Sequence, residues 1–314
     1  MPNVWAHIQF GREVLSALGM EGALDDRRWK TAFQLGCQGP DFLFYDRFLP
    51  WQSASALNRL GTLMHNERCG PFLLSLLGRS ASRPLSDPAS GYAIGFLLHH
   101  VLDRHLHPFV FSRSGFKKWH HQRFETAMDA VVMFRRAGIR TGRTPVAPEL
   151  DTDGRLPGSE DFVAAAAEHY PALAAAMTAE GLNAAVAQMI RAQRLFFDPS
   201  GWKGIALFGR IAPFSPPRCL PEWDVLNDAR LPWIDPTDRT IVREESSDEL
   251  WDRALADAGE TTRAALDWLD CGYGKEAARL RTKFAGLLRD VSYETGLPCG
   301  AAVITFADSV VPDL

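Results

Sequence analysis

Apolar positions recur at helical spacing along most of this chain, and alternation of the strand type is scarce. Residues 8–18 place Ile8, Val14, Leu15 and Leu18 on one face, with Gly19 as a stop. Residues 57–77 read as one or two helices interrupted near Gly70-Pro71. Ser90 to His107 carries Ile94, Phe96, Leu97, Leu98, Val101 and Leu102, a pattern apolar all round and therefore a buried helix. Pro108 disfavours the α conformation at His107, so this helix is expected to end there. Phe116 to Arg136 is a further long helix closed by Gly138. Residues 140–160, with three prolines and three glycines, read as a long loop. An Ala-rich helical stretch follows over 160–195, broken at Pro171, and then a proline-dense irregular stretch over 209–240. Ser246 and Glu249 form a capping box opening a helix through Leu250, Ala254, Leu255 and Ala258, and a last helix covers about 275–290. The expectation is an all-α, multi-helical single domain over 1–314, with chemistry within 2–140 and a helical remainder at 160–314.

Composition narrows the function. Hydrophobic residues are 46% and charged residues 23%, as in globular chains, which excludes general disorder. The balance of 34 basic and 38 acidic side chains, net −4, argues against bulk nucleic-acid binding. No apolar run approaches the length of a membrane span. The N-terminus lacks a basic region followed by an apolar stretch, and the five cysteines are widely spaced with no C-x-x-C. A reducing, cytoplasmic setting is expected. The tryptophans of the C-terminal half (Trp202, Trp223, Trp233, Trp251, Trp268) are expected in the core.

Histidine is unevenly placed: eight of nine lie at or before position 121. His99, Asp103 and His107 stand at i, i+4, i+8, one stripe of a helix that drifts about 40° per step. The rest of that helix is apolar, so the stripe faces inward. Burying three unpartnered polar groups would cost several kcal/mol, a cost that a metal removes. His121 and Glu125 repeat the i, i+4 spacing on the next helix, with Asp129 continuing the stripe as a supporting or surface group. His7, Asp41 and His65 stand at the ends or turns of apolar segments, Asp41 just after Gly39-Pro40. His100, His105 and His120 fall off the stripe and read as supporting or surface residues. Taken singly, each histidine is more often a hydrogen-bonded core residue; two chelating pairs on consecutive helices shift the balance to metal binding.

With these residues the sequence resembles the zinc-dependent phospholipase C family, whose fold is shared with P1-type single-strand nucleases. The likeness runs through Pro2 to Gly11, Gly39-Pro40-Asp41-Phe42, His65, the His99/Asp103/His107-Pro108 stretch and His121/Glu125, with later patches at Leu226-Asn227, Trp233, Pro236 and 246–254. It implies an all-α fold holding two or three Zn2+ ions in a cleft. By position, Asp41, His65, His99 and Asp103 would hold one ion and His107, His121 and Glu125 a second. His7 and a bridging Asp103 would hold a third, completed in the family by the mature N-terminal amine and carbonyl. Secreted members expose that amine by cleavage; here removal of Met1 would expose Pro2, five residues before His7, as the ligand. Secreted members also space the pair matching Asp103 and His107 more widely than the four residues found here.

The implied activity is phosphoester hydrolysis, phospholipase C-like, in which a metal-activated water attacks phosphorus in line. Asp41 would orient or deprotonate that water, and Asp103 would be indispensable. The expected partner is a small phosphoester or phospholipid, with peripheral membrane contact. The apolar run Asp41 to Trp51 is either a substrate-facing rim or packed core. No acid occurs before Glu13, which leaves choline selectivity unassigned. The alternatives are a nuclease or nucleotide phosphohydrolase on the same fold and a non-catalytic zinc-binding helical protein. In the latter Cys37 or Cys69, near Asp41 and His65, would replace a ligand. A helical His-Asp phosphohydrolase would need an adjacent His-Asp pair, and the chain has none.

Overall fold

The computed structural model describes residues 3–312, and its chain order is almost wholly helical. The helices are α1 (Val4–Ala17), α2 (Arg27–Gly36), α3 (Ala56–Asn66), α4 (Cys69–Ser80), α5 (Pro88–Ser114) and α6 (His120–Ala137). After the long loop come α7 (Ser159–His169), α8 (Ala179–Phe196), the short α9 (Trp202–Ala206), α10 (Ser247–Asp270) and α11 (Lys275–Leu288). The strands β1 (Trp233–Ile234) and β2 (Val242–Arg243) form a two-residue antiparallel ladder, Trp233 opposite Arg243. The all-α expectation is therefore met.

Helix α5 is the axis. It is buried on nearly every face, polar stripe included, because α1, α2, α4, α6, α10 and β1 all pack on it. Helix α2 comes closest: a Cβ on Gly95 would lie 2.2 Å from the Phe33 carbonyl oxygen, and one on Gly36 would lie 2.1 Å from that of Tyr92. Only glycine permits this approach, which brings the C-terminal end of α2 beside His99. The main core runs from Val4 to Val311, with Trp233, Trp251 and Trp268 inside it.

Three expectations are corrected, and one helix is added. Helix α5 does not stop at His107; it continues through Pro108 to Ser114. Proline removes the N–H that the Arg104 carbonyl would accept, and its ring crowds that carbonyl. Gly296 backs onto the same oxygen, with room for no side chain there. The break between α3 and α4 falls at Glu67 and Arg68, and Gly70-Pro71 lies in the first turn of α4, where proline is tolerated. Helix α2 is not signalled by the apolar pattern, because it is short and Thr31, Gln34 and Gly36 are buried among its apolar residues. Trp202 is exposed rather than core.

Candidate metal centre

Five elements bring the chemistry together around the middle of α5. Helix α1 contributes His7 from its first turn. Asn3 caps that helix through its side chain at Val4 N–H (2.8 Å), and Asp129 of α6 accepts the Ala6 N–H at 2.6 Å. Burial pushes the Asp129 carboxyl up to about 7, against the two backbone N–H groups of Ala6 and Trp5 that favour its charge. Asp129 thus fixes the start of α1 and with it His7.

Asp41 comes from the 3-10 turn Gly39–Tyr45, which Gly39 enters at φ +49. A Cβ on Gly39 would lie 2.1 Å from His99 Cδ2, so any side chain there would push the His99 ring out of place. Helix α3 supplies His65, α5 supplies His99, Asp103 and His107, and α6 supplies His121 and Glu125.

The distances tie these groups into one cluster. His65 Nε2 is 3.2 Å from Asp41 Oδ1, and His99 Nε2 is 2.9 Å from Asp103 Oδ2. The other Asp103 oxygen, Oδ1, faces His7 Nε2 at 3.4 Å and His107 Nε2 at 3.7 Å. Two triads of donor atoms are compact enough for one ion each: His7, His99 and Asp103, and Asp41, His65 and His99. His107 leads from Asp103 towards His121, their ring centroids 6.5 Å apart, and His121 Nε2 lies 2.6 Å from Glu125 Oε1. The four-residue spacing of Asp103 and His107 thus reaches both neighbours from inside a continuous helix.

These approaches are not ordinary hydrogen bonds. The Nε2 atoms of His7, His65, His99 and His107, Oδ1 of Asp41 and both oxygens of Asp103 are buried with no hydrogen-bond partner. Leaving each orphan costs about 1–3 kcal/mol. Nearby backbone carbonyls explain the aim of the rings. His65 Nδ1–H donates to Gly61 O (2.7 Å), His99 Nδ1–H to Cys37 O (3.0 Å) and His107 Nδ1–H to Tyr293 O (2.9 Å). Each carbonyl takes the ring proton at Nδ1 and turns a bare Nε2 lone pair into the cluster, the usual support of a metal-bound histidine.

The electrostatics agree. Burial holds His7 below its ordinary range, and His99 stacked at 4.2 Å adds to this. Burial also depresses His107 and His121. For His65 burial acts in the same direction, but the Asp41 carboxylate overrides it and raises the group. Burial alone would raise Asp103; His107, His99 and His7 outweigh it and hold that carboxyl well below the usual range. The depressed imidazoles of His7, His107 and His121 and the depressed carboxyl of Asp103 are in the protonation states that cation ligation requires. Six side chains therefore fit a cation site by burial and orphaned atoms, three of them also by tautomer, and His121 and Glu125 stand at its more open end.

A family model for zinc-dependent phospholipase C matches residues 6–179. The chain belongs to the zinc-dependent phospholipase C family. Every cluster residue from His7 to Glu125 lies within the segment that the family shares, and zinc is the metal that the family uses. No curated protein and no solved structure gave a significant match.

Other expected positions resolve individually. Pro2 lies outside the described residues. His100 donates through Nε2 to Val291 O (2.9 Å), His105 meets Asp257 (2.7 Å), and His120 Nδ1 meets Ser309 Oγ (3.2 Å). They brace α5 and α6 outside the cluster. Cys37 gives the site its carbonyl while its sulfur faces Gly11, and Cys69 turns to Cys299. The run from Asp41 to Trp51 divides: Phe42 and Leu43 are core, whereas Phe44 and Trp51 are exposed. No pattern in the sequence marks the segment 289–299, whose Tyr293 carbonyl holds His107 and whose ring packs among His65, His99 and His100.

Proposed function

We propose that this chain is a zinc-dependent phosphoester hydrolase acting on phospholipid at a membrane surface. The carrying observation is the convergence of buried, unpartnered Nε2 and carboxylate atoms from His7, Asp41, His65, His99, Asp103 and His107. With His121 and Glu125 they would hold two or three zinc ions, Asp103 offering one oxygen to each side. Zinc at such a site supplies charge that neutralises a phosphate and acidifies water for in-line attack.

The protein's own part follows from its side chains. Asp41 presents an unpartnered oxygen beside His65 and serves to orient the attacking water and accept its proton. The carbonyl-locked rings of His65, His99 and His107 keep the cluster rigid, so little reorganisation accompanies reaction. The open end lies at His121, whose ring sits 4.7 Å from Phe111, with exposed Phe116 and Trp119 on the turn before it. Phe44, 41% exposed, sits 5.4 Å from the His65 ring, and Trp51 is 77% exposed in the loop that follows. An aromatic rim around an anion site suits the interfacial region of a lipid bilayer. Among the described residues no helix is long and apolar enough to cross a membrane, so this contact would be peripheral. Net charge −4 disfavours long polynucleotides. The five free cysteines favour a reducing, cytoplasmic setting. Pro2, once Met1 is removed, would add its amine to the His7 side; an intact mass that retains Met1 would exclude that ligand.

The test is hydrolysis of phospholipid vesicles, a soluble short-chain phosphodiester and a single-stranded oligonucleotide by the same preparation. Expected are activity on the first two, loss with a chelator and recovery with zinc. Unchanged activity after complete zinc removal, or cleavage of the oligonucleotide alone, would overturn the proposal.

A further inference from the structure

Outside the histidine cluster, one other group of metal-capable side chains converges among the described residues: Cys69, Asp290 and Cys299. Cys69 begins helix α4 and is buried; Cys299 is half-buried across from it. Their sulfurs are 3.4 Å apart, and Cys299 Sγ is 3.2 Å from Asp290 Oδ1. Asp290 and Cys299 are held as a pair by Cys299 N–H donating to Asp290 O (3.0 Å) and by the bridge between Val291 and Pro298. The three donors share no residue with the histidine cluster, and Asp290 and Cys299 lie beyond the segment that the family match covers.

As thiols, Cys69 donates to the Met64 carbonyl (3.3 Å) and Cys299 to Asp290, bonds that deprotonation on an ion would release; the separations weigh an ion against a disulfide. A disulfide needs sulfurs about 2.05 Å apart, well over 1 Å closer than they stand. A tetrahedral zinc with Zn–S near 2.3 Å and Zn–O near 2.1 Å sets S···S at about 3.8 Å and S···O at about 3.6 Å. Both observed edges fall within about half an ångström of those values. Two thiols and a carboxylate are also the softer donor set that selects zinc-like ions over magnesium or calcium.

We propose that Cys69, Asp290 and Cys299 form a second, thiolate-containing site for a zinc-like divalent cation, with a fourth position open to water. Binding releases the two thiol protons to solvent and changes no oxidation state. The ion ties the first turn of α4 to segment 289–299. That segment carries the Tyr293 carbonyl that orients His107, and it meets the His65 carbonyl through Tyr293 N–H (2.9 Å) and Ser292 Oγ (3.2 Å). The role is structural: the site clamps the bracket behind the histidine cluster.

Cobalt(II) loading of the reduced full chain tests this independently of hydrolysis. The histidine and carboxylate cluster contains no sulfur donor, so a thiolate-to-cobalt charge-transfer band reports on the second site alone. Expected are that band in the parent protein, and its loss with about one equivalent of cobalt in Cys69→Ser/Cys299→Ser. Asp290→Asn keeps an oxygen to accept the Gly70 N–H (3.1 Å) that Asp290 now holds, and it should weaken cobalt binding at this site while α4 stays folded. If the double variant fails to fold, Cys299→Ser alone, at the half-buried position, removes one of the two thiolates and should lower the band by about half; an unchanged band there overturns the proposal. A saturated parent protein without the band, or a band that survives the double substitution, overturns the proposal. So does a native mass two hydrogens low with a Cys69–Cys299 linked peptide.

Discussion

Gly39→Ala tests the cluster without touching a single proposed ligand. The new Cβ would lie 2.1 Å from His99 Cδ2 and 2.7 Å from Nε2, where ordinary contact begins at 3.4 Å. Relief needs a displacement of the ring by roughly 1.3 Å, while metal ligands tolerate about 0.2 Å. The same movement strains the His99 to Cys37 hydrogen bond that fixes the tautomer. Left-handed backbone at φ +49 adds about 1–2 kcal/mol for alanine, and crowding adds about 1–3 kcal/mol. The sum, about 2–5 kcal/mol, is within what a domain of ordinary stability survives. The expected result is a folded, helical protein with a lower Tm, at least one zinc fewer per chain, and kcat/KM down about 100-fold or more. Elemental analysis, circular dichroism and phosphodiester assay read these separately. Gly19→Ala is the control: its φ is +70, but nothing lies within 4 Å of the added carbon. It should cost stability alone. Full zinc and activity in Gly39→Ala, or equal zinc loss in Gly19→Ala, would refute the reasoning.

Three further outcomes are expected. Asp103→Ala leaves His7, His99 and His107 without the carboxylate they share, so activity should vanish with loss of at least one zinc; retained activity would exclude the bridging role. Zinc-free protein should lose stability as pH falls from 7 to 5. His100 is depressed by burial from 6.5 to about 3, so in this window only the unfolded chain takes up its proton, and this group alone costs about 2 kcal/mol at pH 5. His7, His107 and His121, also depressed by burial, act in the same sense. His65, raised by Asp41 against its burial, and Asp129, raised by burial to about 7, oppose them, because the folded chain holds those protons more tightly than the unfolded one and the contribution is lost as pH rises through the folded value; the four depressed histidines outnumber them, and denaturant midpoints that rise on acidification would contradict the balance. Phe44→Ser with Trp51→Ser should reduce hydrolysis of vesicles about tenfold or more and spare the short soluble ester, since about 1.4 kcal/mol of lost interfacial binding suffices for that factor; parallel loss on both substrates would place these rings inside the site instead.

The parts of the fold and site that the sequence made legible are those carried by local periodicity. The stripe His99, Asp103, His107 is a helix-geometry statement, and α5 delivers it whatever surrounds it. The Ser246/Glu249 capping box is equally local and opens α10 as expected. Helix α2 escaped because its value is long-range: Gly36 matters through its approach to Tyr92, and Cys37 through a carbonyl aimed at His99 across 62 positions. Pro108 misled for a related reason. A proline penalty is local, but α5 is packed by helices on all sides, and that long-range packing carries it through Pro108 to Ser114.

Backbone groups explain why the supporting half of the site is the harder half to read. A ligand must be His or Asp, so its identity is written in its side chain. The acceptors that fix the tautomers of His65, His99 and His107 are carbonyls of Gly61, Cys37 and Tyr293, and any residue has a carbonyl. What selects those positions is backbone path: a helical i−4 contact for Gly61, the end of α2 for Cys37, and segment 289–299 for Tyr293. Only the last is far from the ligands and without helical support of its own. Such a segment needs anchors, and it has them in Asp290 on the α4 N-terminus, Ser292 on the His65 carbonyl and Cys299 on Cys69. Precision at His107 therefore depends on contacts made at α4, on the far side of the bracket, and loosening them should move zinc affinity at the histidine cluster while every one of its ligands stays in place.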